Sequence, residues 1–109
     1  MKRGDLVLVV LSGDLGKPRP AVVVQADELG PNTNTVLVCP LTSDITEDLP
    51  LRPIILPTPE AGLVVRSQIM TDKIVAARRD RIRRQVGRID SASVRALNAA
   101  LMVVLGLAG

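Results

Sequence analysis

Apolar residues in this chain come in short runs, and the way each run ends predicts most of the architecture. Leu6 to Leu11 is continuously apolar between Asp5 and the turn cluster Ser12-Gly13-Asp14-Leu15-Gly16, which predicts a buried strand followed by a mobile loop. Ala21 to Gln25 is a second such strand, able to pair with the first as a hairpin. A loop rich in Gly30, Pro31, Asn32 and Asn34 leads to a third strand, Thr35 to Cys39, which Pro40 is expected to terminate. Asp44 to Pro50 is acidic and turn-like, and Arg52 to Leu56 reads as an edge strand between Pro53 and Pro57. Further strands are predicted over Gly62 to Arg66, Lys73 to Ala77 and Val86 to Ile89.

Only the C-terminus carries a helical period. Asp90 is a good N-cap, Val94, Leu97, Leu101 and Val104 recur at spacings of three and four, and Gly106 is a natural stop. Short strands, frequent turns and one terminal helix predict a mainly β (α+β) fold. It would be a small, strongly twisted antiparallel sheet or partial barrel closed by the helix. At 109 residues, with no internal repeat and no linker, the chain (1–109) reads as one domain.

Composition narrows the chemistry mainly through what is missing. There is no His, so no imidazole can act as base, zinc ligand or triad partner. With no Phe, Tyr or Trp either, the core must be aliphatic, and nucleobases would have to pack on arginine planes or apolar side chains. The single cysteine, Cys39, sits in an apolar run and reads as a buried inert thiol, which excludes a cysteine-based zinc site. A hydrophobic content of 47% fits a globular protein with part of its surface covered by a second copy in a homodimer. The apolar runs are too short to span a membrane and no cleavable signal is evident, so a soluble cytoplasmic chain is expected.

The net charge of +3 tilts toward an anionic partner, and its distribution sharpens this. Arg78, Arg79, Arg81, Arg83, Arg84 and Arg88 crowd one segment, either a solvated basic face or a patch that tracks phosphates. Lys17-Pro18-Arg19-Pro20 presents a cation between two prolines whose rings stiffen the strand entrance. A rigid guanidinium fork there suits a phosphate, although Lys17 and Arg19 also read as solvated loop charges. Thr42 and Ser43 follow the third strand, where hydroxyls cap turns or donate to phosphate oxygens.

Taken in order, Arg3-Gly4-Asp5-Leu6-Val7-Leu8-Val9, Arg19-Pro20-Ala21-Val22-Val23-Val24-Gln25, Thr35-Val36, Pro40-Leu41-Thr42-Ser43, Gly62-Leu63, Ser67-Gln68-Ile69 and Val86-Gly87-Arg88-Ile89 with the closing helix resemble the MazF/PemK family of toxin endoribonucleases, nearly end to end. The resemblance implies an SH3-like barrel and a homodimeric toxin, held in check by a separate cognate antitoxin. It also implies cleavage of single-stranded RNA, without metal or other cofactor, to a 2′,3′-cyclic phosphate and a 5′-hydroxyl. Arg19 and Thr42 match the family's catalytic arginine and threonine. Lys17, Ser43, Arg66 and Gln68 are expected to hold RNA, Gln68 at a base edge, and Arg19, Thr42, Ser43 and Arg66 are expected to surround one phosphate. Where some relatives have an acidic residue suited to act as base, this chain has Gln68, which leaves Asp14 in the first loop as the candidate base. The rival readings are a gyrase-poisoning CcdB-like toxin on the same barrel, and a non-catalytic nucleic-acid-binding barrel.

Overall fold

The computed structural model describes residues 1–47 and 51–108. Among these residues seven strands form one curled antiparallel sheet: β1 Asp5–Val10, β2 Pro18–Val23, β3 Thr35–Thr42, β4 Ile54–Ile55, β5 Ser67–Ile69, β6 Val75–Arg78 and β7 Ile82–Arg88. The order across the sheet is β4-β5-β3-β2-β1-β7, with β6 also paired to β3. One helix, α1 Ser91–Val104, follows. The protein is thus mainly β, a half-barrel closed by its C-terminal helix, as the punctuation of the sequence predicts. No helix among the described residues is long and apolar enough to cross a membrane.

The continuous apolar run of β1 is explained by burial on both faces. Val7 and Val9 join Ala21, Val23, Val36, Val38 and Ala77 in one cluster. Leu6 turns the other way, into a cluster with Val22, Cys39, Leu41 and Ile69 that Leu97 and Leu101 of α1 cover. The alternation of a strand therefore feeds two cores at once. At the helix start the Asp90 side chain accepts from the Ser93 amide at 2.7 Å, the expected cap.

Pro40 does not end β3, which continues to Thr42. Above it β3 pairs β6 through Thr35–Val38, and below it β5 through Leu41 and Thr42. The Pro40 carbonyl accepts from the Met70 amide at 2.8 Å, on the same side as β5 and β6. Its missing N–H therefore falls in the gap where β3 changes partners, and no ladder bond is lost.

Two other expectations are corrected. Gly62 to Arg66 is a turn, and the strand begins only at Ser67. Gly62 has φ +71° and lies so close to β7 that a Cβ there would sit 1.9 Å from the Val86 carbonyl oxygen, so this segment presses onto β7 instead of pairing along its length. The arginine-rich segment expected between two strands is largely a strand itself. Arg79–Arg81 form a tight 3₁₀ turn, and Ile82–Arg88 pair with β1. The edge strand expected over Arg52 to Leu56 is present in its shorter form, β4. Asp48, Leu49 and Pro50 of the acidic turn expected over Asp44 to Pro50 lie outside the described residues.

Candidate active site

The site begins with where β2 is and is not paired. Along β1 it is paired from Pro18 to Val22, with Val9 facing Arg19, whereas along β3 pairing begins only at Ala21. Two prolines two residues apart remove donors from the same edge of a strand, so a ladder on that edge cannot run past them. Extending the β2–β3 register by two residues from Ala21 and Pro40 sets Arg19 opposite Thr42, on the same face of the sheet. The two functional candidates thus sit where the proline pattern unzips two strands.

Arg19 is held from behind. Its Nε donates to Asp14 Oδ2 at 2.8 Å and its Nη2 to Asp14 Oδ1 at 3.0 Å, a fork-to-carboxylate pair between β2 and the β1–β2 loop. Nη1 has no protein partner among the described residues. Each Asp14 oxygen accepts one of these two bonds. Thr42 Oγ1 accepts from the Asp44 amide at 3.1 Å, which fixes the hydroxyl and leaves its own hydrogen to donate elsewhere.

Arg19, Thr42 and Ser43 line one groove of about 450 Å³, floored by Leu8, Pro20 and Leu41 and walled by the Gly62–Val65 turn, Val86 and Arg84. Three of the four residues expected around one phosphate therefore meet. Arg66 is exposed just before β5 and does not line the groove, nor does Lys17, which is exposed on the first loop.

Gln68 sits in the same cross-strand row, paired with Thr42, but is 3% exposed. Its Oε1 accepts from the Thr46 amide at 3.1 Å and its Nε2 donates to the Thr46 carbonyl at 2.9 Å. The amide expected at a base edge is instead spent clamping the loop that follows Thr42. Arg84 is the groove residue that sequence reasoning did not single out. Its only signal was membership in the arginine-rich segment, and its facing across β7 and β1 to Leu8 selects it from its neighbours. Cys39 is fully buried, and burial pushes its thiol up to about 12, so it supplies no nucleophile at neutral pH.

Comparison with known proteins gives a family from sequence and the same fold from structure. The family model described as "PemK-like, MazF-like toxin of type II toxin-antitoxin system" matches residues 2–105. A curated relative from Mycolicibacterium smegmatis, "Probable endoribonuclease MazF", is 37% identical, and the match covers 100% of each chain. Among solved structures, "Endoribonuclease in complex with its cognate antitoxin from Mycobacterial species" superposes with a TM-score of 0.83 at 20% identity, covering 98% of this chain and 96% of that one. "Crystal structure of MazE-MazF (Form-II) from Deinococcus radiodurans" gives a TM-score of 0.78, also at 20% identity, covering 97% and 95%.

Proposed function

The chain belongs to the PemK-like, MazF-like toxin family of type II toxin–antitoxin systems, and from that premise we propose that it is an endoribonuclease that cuts single-stranded mRNA by attack of a 2′-hydroxyl on the adjacent phosphate, with no metal. The products are a 2′,3′-cyclic phosphate and a 5′-hydroxyl. The observation that carries this reading is the meeting of Arg19, Thr42 and Ser43 in one groove, where β2 and β3 part.

In-line attack builds negative charge on the phosphoryl oxygens, and a metal-free site needs fixed donors aimed there. Arg19 supplies a guanidinium that Asp14 holds in place, with Nη1 available to donate to a phosphoryl oxygen and to the departing 5′-oxygen, while the 2′-hydroxyl proton passes to solvent water and the 5′-oxygen takes one back from it. Thr42 supplies a hydroxyl donor fixed by the Asp44 amide, and Ser43 a second one from an exposed position. Gln68 is a positioning residue, since it holds the Thr46 backbone and with it the turn that carries Ser43. Lys17 and Arg66, exposed outside the groove, hold the RNA backbone on either side by charge. The chain acts in the cytoplasm as a homodimer, and the acidic disordered tail of a cognate antitoxin silences it by covering the groove.

The test is incubation of the purified protein with a long single-stranded RNA in excess chelator, beside Arg19→Ala and Thr42→Ala. Wild type is expected to cut. Each variant should lose about a hundredfold or more in rate, the effect of deleting one transition-state donor. Intact RNA with wild type, or RNA shifted on a gel without scission, would remove the nuclease reading. Variants as fast as wild type would remove the site assignment alone.

A further inference from the structure

The groove contains two guanidinium groups in different states. Arg19 is bound to Asp14, whereas the side chain of Arg84, exposed on β7, makes no hydrogen bond or ion pair among the described residues. Its placement is built into the sheet. Arg84 faces Leu8, and Leu8 in turn faces Pro20, so these three form one cross-strand row beside the Val9–Arg19 row, and all three line the groove. The β7 register slips on both sides of that pair: Gly87 and Gln85 face Leu6 and Val7, skipping Val86, while Arg84 and Ile82 face Leu8 and Val9, skipping Arg83. The two bulges flank Gln85 and Arg84, twist the strand locally and fix these two neighbouring side chains on opposite faces of it.

The opposite wall is equally fixed and is apolar. A Cβ on Gly62 would lie 1.9 Å from the Val86 carbonyl oxygen, and one on Gly87 would lie 2.2 Å from that of Ala61. The Glu60 carbonyl accepts from the Arg88 amide at 2.9 Å. The turn is therefore seated backbone to backbone on β7. It holds out Val64 and Val65, which are 94% and 51% exposed, although both belong to the lining of the groove. In a chain with no aromatic residue, exposed aliphatic side chains on a rigid turn beside an unpaired arginine offer what an unstacked base needs: an apolar surface for its face and donors for its edge.

We propose that this end of the groove is a nucleobase subsite in which Arg84 selects guanine. The proposal rests on the RNA-cleaving reading above. A guanidinium fork has only donors, and guanine presents two adjacent acceptors, O6 and N7, to such a fork, whereas adenine offers a donor beside N7 and uracil has no adjacent pair of acceptors. Cytosine has such a pair in O2 and N3, but its single ring covers less of Val64 and Val65 than the guanine face does.

Cut sites mapped on a long transcript for wild type, Arg84→Ala and Arg84→Lys test this. Oligonucleotides carrying guanine, 7-deazaguanine or adenine at the selected position complete the test. Wild type should show guanine at one position beside the cut. Its preference over adenine should fall about tenfold or more in Arg84→Ala, and lysine, which keeps the charge and loses the fork, should not restore it. In wild type, 7-deazaguanine should lose much of the advantage of guanine, because N7 is gone. Absence of guanine enrichment overturns the subsite. So does an Arg84→Ala variant that slows all sites alike and is rescued by lysine, which is how a phosphate contact behaves. Failure of wild type to cut any RNA overturns the nuclease reading and this subsite with it, whereas cutting with an unchanged preference overturns the subsite alone.

Discussion

Two arginine–aspartate pairs in this molecule share one geometry and differ in which partner is covered. Arg19 meets Asp14 through Nε at 2.8 Å and Nη2 at 3.0 Å, and Arg52 meets Asp72 through the same two nitrogens at the same two distances. The Arg52 side chain is 9% exposed and its aspartate 45%, whereas Arg19 is 36% exposed and its aspartate 17%. In the Arg52 pair the cation is tucked inward and the carboxylate neutralises it from outside, tying the segment before β4 to the turn after β5. In the Arg19 pair the carboxylate is the inner support and the cation is turned toward the groove. The same contact thus staples the fold in one place and holds an arginine at the groove in the other. Direction of exposure, not bond length, tells them apart.

Asp14→Asn breaks the comparison most sharply. If Asp14 is the inner support of Arg19, asparagine keeps one acceptor, and kcat should fall about tenfold while KM and the shape of the pH–rate profile stay close to wild type. A group acting as the base would instead cost as much as removing Arg19 and would flatten the acidic limb of that profile. Single-turnover cleavage measured across pH distinguishes the two, and a loss as large as that of Arg19→Ala would return Asp14 to the role of base.

The comparison also shows what could be read from the sequence. The hairpin of β1 and β2 and the closing helix were legible because run length, turn residues and an Asp90 cap act locally. That Arg19 and Thr42 lie at one groove was expected only through the family resemblance, and the two prolines beside Arg19 supply the physical reason that they come together there. The continuation of β3 through Pro40 was not legible, because a proline ends a strand or passes unnoticed according to which neighbour its missing donor faces. Gly62 to Arg66 has the apolar content of a strand, yet the backbone of β7 lies where a pairing strand would need room. Arg84 could not be told from Arg83 without the bulges, which belong to the pairing of β7 with β1 and not to either segment alone. Gln68 was expected at a base edge, and its pairing with Thr42 and its clamp on Thr46 were not legible, since a buried amide satisfied by a distant backbone leaves no local signature.

Arg52→Ala probes the other pair, and its effect should be on stability alone. The partly exposed contact and the buried stem of Arg52 together contribute about 1 kcal/mol, so the thermal midpoint should drop by a few degrees while RNA cleavage below the transition is unaltered. A matching loss of cleavage would mean that the Arg52 pair is coupled to the groove after all.

The smallest effect expected is one of pH. The hydrogen bond from Arg52 holds the Asp72 carboxyl below its usual value of 3.8. A carboxyl whose pKa is depressed by folding stabilises the protein above its unfolded pKa, and that contribution disappears as pH falls through the folded value. Wild type should therefore exceed Asp72→Asn in thermal midpoint near neutrality, and the gap should close below about pH 4. Acidification will still weaken both proteins, because the Asp90 cap is likewise held low, by its hydrogen bond from the Ser93 amide. The gap between the two proteins, and not either absolute midpoint, is the quantity that reports the Arg52 staple. A gap that stays constant from about pH 7 to about pH 3 would show that the carboxylate charge contributes nothing to it.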